Sequence, residues 1–510
     1  MNNLAELILE RADRRAGARF GDVDDVMSLG DAVALARRAS GQLQSAGIGV
    51  GHRAALIGET STSYLLAWMT LQLAGVEAAL INPSLPDELL ADMVADLDVD
   101  AVIWCERRPA KMLAPTSVHL DASKLSRGFF YIDGRALSEK GGSEKGVPEE
   151  GVDVSLAGAS RRSEDVAGYM HTSGTTGKPK FCTQSHRYFL ELGRFVADSM
   201  ALSSADTVFA PLPMFHINPM GYGVVGGLTG GADVLAARRF SASRFWKTVK
   251  DQGVTVAFLH SPPVAVLNRA TDAHDAAGHR LRAVFLADEE FLNKFAVPMG
   301  FSAYGSTEAG GLCHIWPWRL ADRCSHPEGM SRFGGAPRRN VEWDLTEDGE
   351  ILVRARRPHI LSSGYRTASG TADLTDENGW FHTGDLGRRD EHGHLVFIER
   401  KADSIRVKGE YVPIAFVEEA FAAIAEVEEL ALWRRDSDLV DQEPVLYVVA
   451  PNDIPDGKIR EVSQSLPRFM RPAAVVRVDA LPRNEGVGKI NRRLLETLEP
   501  LEVVELNRQG

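Results

Sequence analysis

The sequence predicts an α/β protein: a large N-terminal region of two α/β stretches and a small β-rich segment, then a smaller α+β C-terminal unit. Three observations lead there. Short apolar runs alternate with helical patterns from about residue 29 to 105 and again from about 186 to 305, the succession that a parallel sheet requires. Between 333 and 399 the texture changes to short strands separated by Gly and Asp turns. At 510 residues the chain exceeds one hydrophobic core, and its length points to roughly three or four compact units.

In order, Leu29-Gly30-Asp31 opens a helix through Leu43. Arg53-Ala54-Ala55-Leu56-Ile57 reads as a strand, Thr62 to Ala74 as a helix, and Ala78-Ala79-Leu80-Ile81 as a strand. Another helix and the strand Ala101-Val102-Ile103-Trp104 follow. Residues 134–165 are rich in Gly, Ser, Glu and Lys and read as an exposed connection. The second stretch offers Thr207-Val208-Phe209-Ala210, Ala232-Asp233-Val234-Leu235, Val254-Thr255-Val256-Ala257-Phe258 and Ala283-Val284-Phe285-Leu286 as strands. Glu350-Ile351-Leu352-Val353 and His394-Leu395-Val396-Phe397-Ile398 mark the β-rich segment. Beyond residue 400, a helix at 414–425 carries Val417, Ala420, Phe421 and Ile424 at i, i+3, i+4, i+7 spacing, a core-facing stripe.

Hydrophobic residues make up 44% and charged residues 25%, ordinary for a globular protein. The net charge of −13 argues against a nucleic acid bound over a broad surface. Cys105, Cys182, Cys313 and Cys324 lack CxxC spacing, so disulfides and structural zinc are not expected and a reducing cytoplasm fits best. The N-terminus shows no basic stretch followed by an apolar core, so no signal peptide is expected. The apolar run from Tyr64 to Ile81 is interrupted by Gln72, Gly75 and Glu77 and reads as a buried helix and strand, with no membrane span.

The chemically richest stretch is Thr172-Ser173-Gly174-Thr175-Thr176-Gly177-Lys178-Pro179-Lys180. Glycines let backbone N–H groups approach phosphate oxygens, hydroxyls donate further bonds and lysine neutralises charge. It is not a Walker A loop, which needs Gly where Thr172 stands and Ser or Thr where Pro179 stands. A flexible surface loop could have the same composition, so the stretch alone decides nothing.

Five further signals follow in order: Pro213-Met214-Phe215-His216; Tyr304-Gly305-Ser306-Thr307-Glu308; Gly379-Trp380-Phe381-His382-Thr383-Gly384-Asp385; Arg400-Lys401-Ala402-Asp403 with Lys408-Gly409; and Gly488-Lys489-Ile490. Together, from about residue 29 to 495, they resemble the adenylate-forming superfamily of acyl- and aryl-CoA ligases, luciferases and peptide-synthetase adenylation domains. The tract 213–218, with Phe240-Ser241-Ala242-Ser243-Arg244-Phe245-Trp246, looks most like carnitine/crotonobetaine-type CoA ligases.

The resemblance implies an enzyme that joins an acid to the α-phosphate of ATP with Mg2+, releases pyrophosphate and holds an acyl-adenylate. The carboxylate is already anionic, so catalysis rests on charge neutralisation and in-line alignment. It implies that residues 1–400 form the adenylating domain and 401–510 a mobile domain carrying the catalytic lysine. Thr172, Ser173, Gly174, Thr175, Thr176, Gly177 and Lys178 would hold the β- and γ-phosphates. Tyr304 would stack on adenine, Thr307 would contact phosphate and Glu308 would help bind Mg2+. Asp385 would bind the ribose hydroxyls, and Arg400 the ribose or phosphate. Lys489 would bridge the acid and the α-phosphate, and Asp403 would be the hinge. His216 and Gly305 would line the acid pocket; a lone histidine is more often structural, but here the aromatic-His context favours the pocket.

Three departures concern the substrate. Where the family has a Gly-Gly-Ala-type loop, this chain has Leu286-Ala287-Asp288-Glu289-Glu290. If Asp288 or Glu289 faces the pocket, a fatty chain is disfavoured and an amine- or hydroxyl-bearing substrate gains ground; otherwise both point to solvent. Phe181 follows the phosphate loop where a small residue is usual, and Arg356-Arg357-Pro358 stands where Gly-Pro is common.

The leading expectation is an AMP-forming ligase that passes a small acid to the thiol of coenzyme A or of a separate carrier protein's phosphopantetheine. An alternative is an ATP-dependent diazotase that activates nitrite for an aryl amine. Another is a non-catalytic nucleotide-binding protein, against which the joint presence of Lys489, Glu308 and Asp385 speaks.

Overall fold

The computed structural model describes the chain except residues 106–117, 123–124, 126–130, 133–134, 137–156, 173–178, 323–331, 368–369, 402–404, 408–409, 413, 437–441, 451–454, 484–489 and 507–510. Two compact units result: one takes in Met1–Asp344, Leu352–Thr383 and Arg389–Val396, the other Leu345–Ile351, Gly384–Arg388 and Phe397–Gly510.

The α/β expectation holds, because the apolar runs pair in parallel where helices connect them. In the first unit Arg53–Gly58 lies between Glu77–Ile81 and Ala101–Cys105, parallel to both. Glu77–Ile81 in turn pairs in parallel with Val166–Thr172. The second stretch forms another sheet. Thr207–Ala210 lies between Asp233–Ala236 and Val256–Phe258, and Ala283–Phe285 and Met299–Tyr304 continue the parallel order. Strand Arg19–Asp22, which sequence pattern did not indicate, adds in parallel beside Asp233–Ala236.

Helix Thr62–Ala74 is buried along every one of its residues. That explains why the sequence there is apolar all round, since a helix with no wet face needs no polar stripe. Ser61 caps it by accepting from Tyr64 N at 3.1 Å, and Gly75 ends it in the left-handed region at φ 75°. Among the described residues no helix is long and apolar enough to cross a membrane.

The second unit is α+β. Its sheet runs Glu429–Asp436, Gln442–Val449, Ala474–Arg477, Glu502–Glu505. Helix Ile414–Ala422 turns Val417 and Phe421 into that core beside Trp433, Leu446 and Val475, as the spacing predicts.

Candidate functional site

The strand Val166–Thr172 returns antiparallel as Lys180–Ser185, with Thr172 opposite Lys180. Thr172 and Lys180, the two ends of the phosphate-type stretch, are therefore neighbours across the sheet. Thr172 is half-buried, while Ser173, Gly174, Thr175, Thr176, Gly177 and Lys178 lie outside the described residues. Phe181, unexplained by sequence, is buried beside Trp104 and Tyr169 and meets the His171 ring edge-on at 6.2 Å.

His171 is a site residue that the motifs did not single out. Its ring stacks on Phe215 at 5.8 Å and lies 6.5 Å from His216, which itself sits 4.6 Å from Phe215. The Asn82 backbone N–H donates to His171 Nε2 at 3.3 Å, so the neutral ring carries its proton on Nδ1. Desolvation, with a smaller contribution from His216, pushes the His171 pKa down to about 4. Desolvation and then His260 do the same for His216, also to about 4, although the residue as a whole is exposed. Both imidazoles are uncharged at neutral pH.

His216 is held by its neighbours. Met214 N donates to Thr60 Oγ1 at 3.1 Å and Asn218 Nδ2 to Leu259 O at 3.0 Å. The chain then enters a π-helix, Asn218–Val225, a wide turn of the kind found at functional sites. From it Tyr222 Oη donates to Gly311 O at 2.9 Å, joining this tract to the Tyr304–Glu308 motif.

That motif is a doubled-back loop. Tyr304 ends the strand Met299–Tyr304 and is largely buried, its ring 6.0 Å from His314. The chain closes through Gly311 N donating to Ser306 O at 2.9 Å. A Cβ on Gly305 would lie 2.2 Å from Gly311 O, so the glycine here is demanded by loop closure. Thr307 O accepts from Tyr188 Oη at 2.9 Å, and Glu308 O from Ser362 N at 3.0 Å. The Glu308 carboxylate is half-exposed and accepts from Tyr365 Oη at 3.0 Å. Beside it the Cys182 thiol is pushed well up in pKa by burial and then by Glu308, and stays protonated.

The first unit thus brings Thr172, His216, Tyr304, Gly305, Thr307 and Glu308 onto connected elements. Asp385 and Arg400 meet in the second unit: Asp385 is buried and Arg400 Nε lies 3.4 Å from its carboxylate. The adjoining Gly384 N–H donates to Glu350 Oε1 at 3.0 Å, while Lys401 pairs with Glu350 Oε2 at 2.9 Å. Asp403 and Lys489 lie outside the described residues.

Of the two placements open to Asp288 and Glu289, the helix-end role accounts for both side chains. Asp288 is exposed and caps the helix Glu289–Phe295, accepting from Phe291 N at 2.7 Å and from Asn268 Nδ2 at 3.2 Å. A cap of this kind contributes about 1 kcal/mol, and it commits the carboxylate to the helix end. Glu289 stands in that helix's first turn, where an acidic side chain is favoured by the helix dipole. Neither carboxylate needs a buried amine to explain it. The Arg356-Arg357-Pro358 departure is partly explained, since Pro358 O accepts from Arg187 Nη1 at 3.1 Å and Arg356 pairs with Glu342 at 3.2 Å.

A separate cleft of about 540 Å3 opens beyond the carboxyl ends of Thr207–Ala210 and Asp233–Ala236, and Arg238, Arg239 and Arg244 line it. Arg238 pairs with Glu59, and Arg244 with Asp24 at 2.7 Å. Among the described residues Arg239 makes no ion pair, which leaves the cleft a net cation.

The desolvated histidines make stability pH-dependent. His171 and His186 fold with pKa values near 4, and His314 near 3, each chiefly through desolvation. Their unfolded value is about 6.5. The folded state favours the neutral ring, so this stabilisation is complete above pH 6.5 and is lost progressively as pH falls toward 4. The thermal unfolding midpoint is expected to be lower at pH 5 than at pH 7.5. An unchanged midpoint would contradict these placements.

An α/β unit that carries Thr172, the His171–Phe215–His216 cluster and a clamped Thr307–Glu308 loop on connected elements has the layout of a nucleotide-dependent acid-activating enzyme. The AMP-binding enzyme family model matches residues 9–370, and the chain belongs to that family. It is 27% identical to 4-coumarate–CoA ligase 5 of Oryza sativa subsp. japonica over an alignment of 534 residues, covering 96% of this chain and 93% of the relative. Crotonobetaine/carnitine–CoA ligase of Escherichia coli is 26% identical over 355 residues, covering 66% and 67%. In fold the chain is similar to o-succinylbenzoate CoA synthetase from Bacillus subtilis in complex with its acyl-adenylate intermediate, with a TM-score of 0.79 at 21% identity, covering 98% and 99% of the two chains.

Proposed function

We propose that the protein is an AMP-forming ligase that adenylates a small organic acid and passes the acyl group to coenzyme A. The observation that carries this reading is the connection of Thr172, the His216 wall and the Thr307–Glu308 loop within one unit. In this reading the acid's carboxylate oxygen bonds to the α-phosphorus of ATP and the bond to pyrophosphate breaks. The thiol then attacks the acyl carbon, and AMP leaves.

Residues 172–178 hold the β- and γ-phosphates, Tyr304 the adenine and Thr307 a phosphate oxygen. Asp385 and Arg400 take the ribose side. Lys489 bridges the carboxylate and the α-phosphate, and residues 401–510 act as the mobile domain hinged at Asp403. His216, with Phe215 and His171, walls the acid. Because both imidazoles are neutral, they hydrogen-bond the acid without a cation that would hold its carboxylate away from the phosphate. Glu308 suits Mg2+: it offers a half-exposed hard oxygen donor, and Mg2+ is usually bound by one or two carboxylates with substrate phosphates and water. When bound, Mg2+ neutralises phosphate charge. Among the described residues Cys105, Cys182 and Cys313 are buried and form no disulfide, which is consistent with a reducing cytoplasm.

The arginine-lined cleft supports coenzyme A over a carrier protein as acceptor, since a nucleotide phosphate would find a cation in Arg239 there. Arg239→Ala is expected to raise the KM for coenzyme A about fivefold to tenfold while leaving the KM for ATP and for the acid unchanged. An unaltered coenzyme A dependence would remove the cleft from the reading. Mass spectrometry of reactions with ATP, Mg2+, coenzyme A and a panel of carboxylic acids tests the function, the expected products being an acyl-CoA and AMP.

A further inference from the structure

Glu308 is reached from behind by a residue that no motif singled out. Tyr365 stands on the short strand Tyr365–Thr367 and pairs in register with Cys182, two residues beyond Lys180. Its Oη donates to Glu308 Oε1 at 3.0 Å, while Lys180 Nζ lies 5.0 Å above its ring. The surrounding backbone is fixed. Ser362 N donates to Glu308 O at 3.0 Å, Ser362 Oγ to Thr183 O at 3.1 Å, and Ser363 N to Thr183 O at 2.9 Å. The strand Lys180–Ser185 is therefore locked to the segment that holds Glu308.

A half-exposed glutamate has three rotatable bonds, and ordering such a side chain costs conformational entropy. A donor already seated on one carboxylate oxygen removes part of that cost before any ligand arrives, which is the general benefit of preorganisation. The ring alone cannot do this; only the phenol oxygen reaches the carboxylate.

We infer that Tyr365 is a positioning residue for Glu308, fixing one carboxylate oxygen and leaving the other for a phosphate-bound Mg2+. The inference rests on the reading of Glu308 as the metal-binding carboxylate. Tyr365 also couples that carboxylate to the strand Lys180–Ser185, which it pairs at Cys182.

The test is calorimetric titration of ATP onto the full-length protein, with Mg2+ and with EDTA, for the wild type, Tyr365→Phe and Glu308→Gln. The readout is the ratio of the two ATP affinities. Phenylalanine keeps the ring over Lys180 and removes only the donor, so ATP affinity in EDTA should match the wild type. The Mg2+-dependent gain should shrink by about tenfold or somewhat more, the lower end of the effect of losing one hydrogen bond to a charged group. Glu308→Gln should lose most of the same gain, and the double variant should lose no more than Glu308→Gln alone. If Tyr365→Phe keeps the full gain while Glu308→Gln loses it, the positioning role of Tyr365 is overturned and the reading of Glu308 stands. If Glu308→Gln keeps the full gain, the reading of Glu308 fails, and the role of Tyr365 fails with it.

Discussion

Lys489→Ala is expected to reduce acid adenylation by about a hundred- to a thousandfold, with ATP affinity close to that of the wild type. A carboxylate approaching an α-phosphate brings two anions together, and a lysine between them offsets repulsion that grows as the new bond forms. The phosphate-type stretch, the Thr307–Glu308 loop and the Asp385–Arg400 pair are untouched by the substitution, so nucleotide binding persists. Single-turnover formation of the acyl-adenylate measures the chemical step, and calorimetry measures ATP binding. Wild-type-like adenylation by the variant would remove Lys489 from the mechanism.

The second large effect is expected at Gly305, where the argument is steric. An added Cβ would lie 2.2 Å from Gly311 O and 2.8 Å from Leu312 Cα. Both are backbone atoms, so no side chain can swing aside. Gly305→Ala must open the loop that closes through Gly311 N and Ser306 O, and with it move Thr307 and Glu308. A shift of about 1 Å at positioning residues costs on the order of a hundredfold in rate, so kcat/KM should fall by about that factor. Gly17→Ala is the matched control: nothing lies within 4 Å of its added Cβ, and activity should be unchanged. Equal activity of the two variants would contradict the view that loop closure positions the Thr-Glu pair.

How far the sequence revealed this arrangement depended on whether the relevant physics was local. Thr62–Ala74 and Thr207–Ala210 are legible to the residue, because an apolar run bounded by Ser61 and Gly75, or by Asp206 and Pro211, carries its own limits. The strands on either side of the phosphate stretch are not. Thr, Ser and Gly dominate the stretch itself, and the pairing of Thr172 with Lys180 is decided by the sheet.

Asp288 is open to two readings in the sequence: it stands where the resembling family has a pocket loop, and Asp288-Glu289-Glu290-Phe291 also has the acidic opening of a helix. That signal was available and is the one the fold obeys. Tyr188 and Tyr365 could not have been found by any local rule. They reach Thr307 and Glu308 across 119 and 57 positions of chain, and only the folded sheet brings them there. His171 falls between these cases: its position beside Thr172 was visible, but its stacking on Phe215 was not.

The central claim, acid-dependent transfer of adenylate from ATP, is tested most directly by ATP–pyrophosphate exchange. The full-length protein, ATP, Mg2+ and labelled pyrophosphate are mixed with each member of a carboxylic acid panel, without coenzyme A. Label should return to ATP only when a matching acid is present, because reversal requires the acyl-adenylate. Exchange that proceeds equally without acid, or no exchange with any acid while ATP binds, would contradict it.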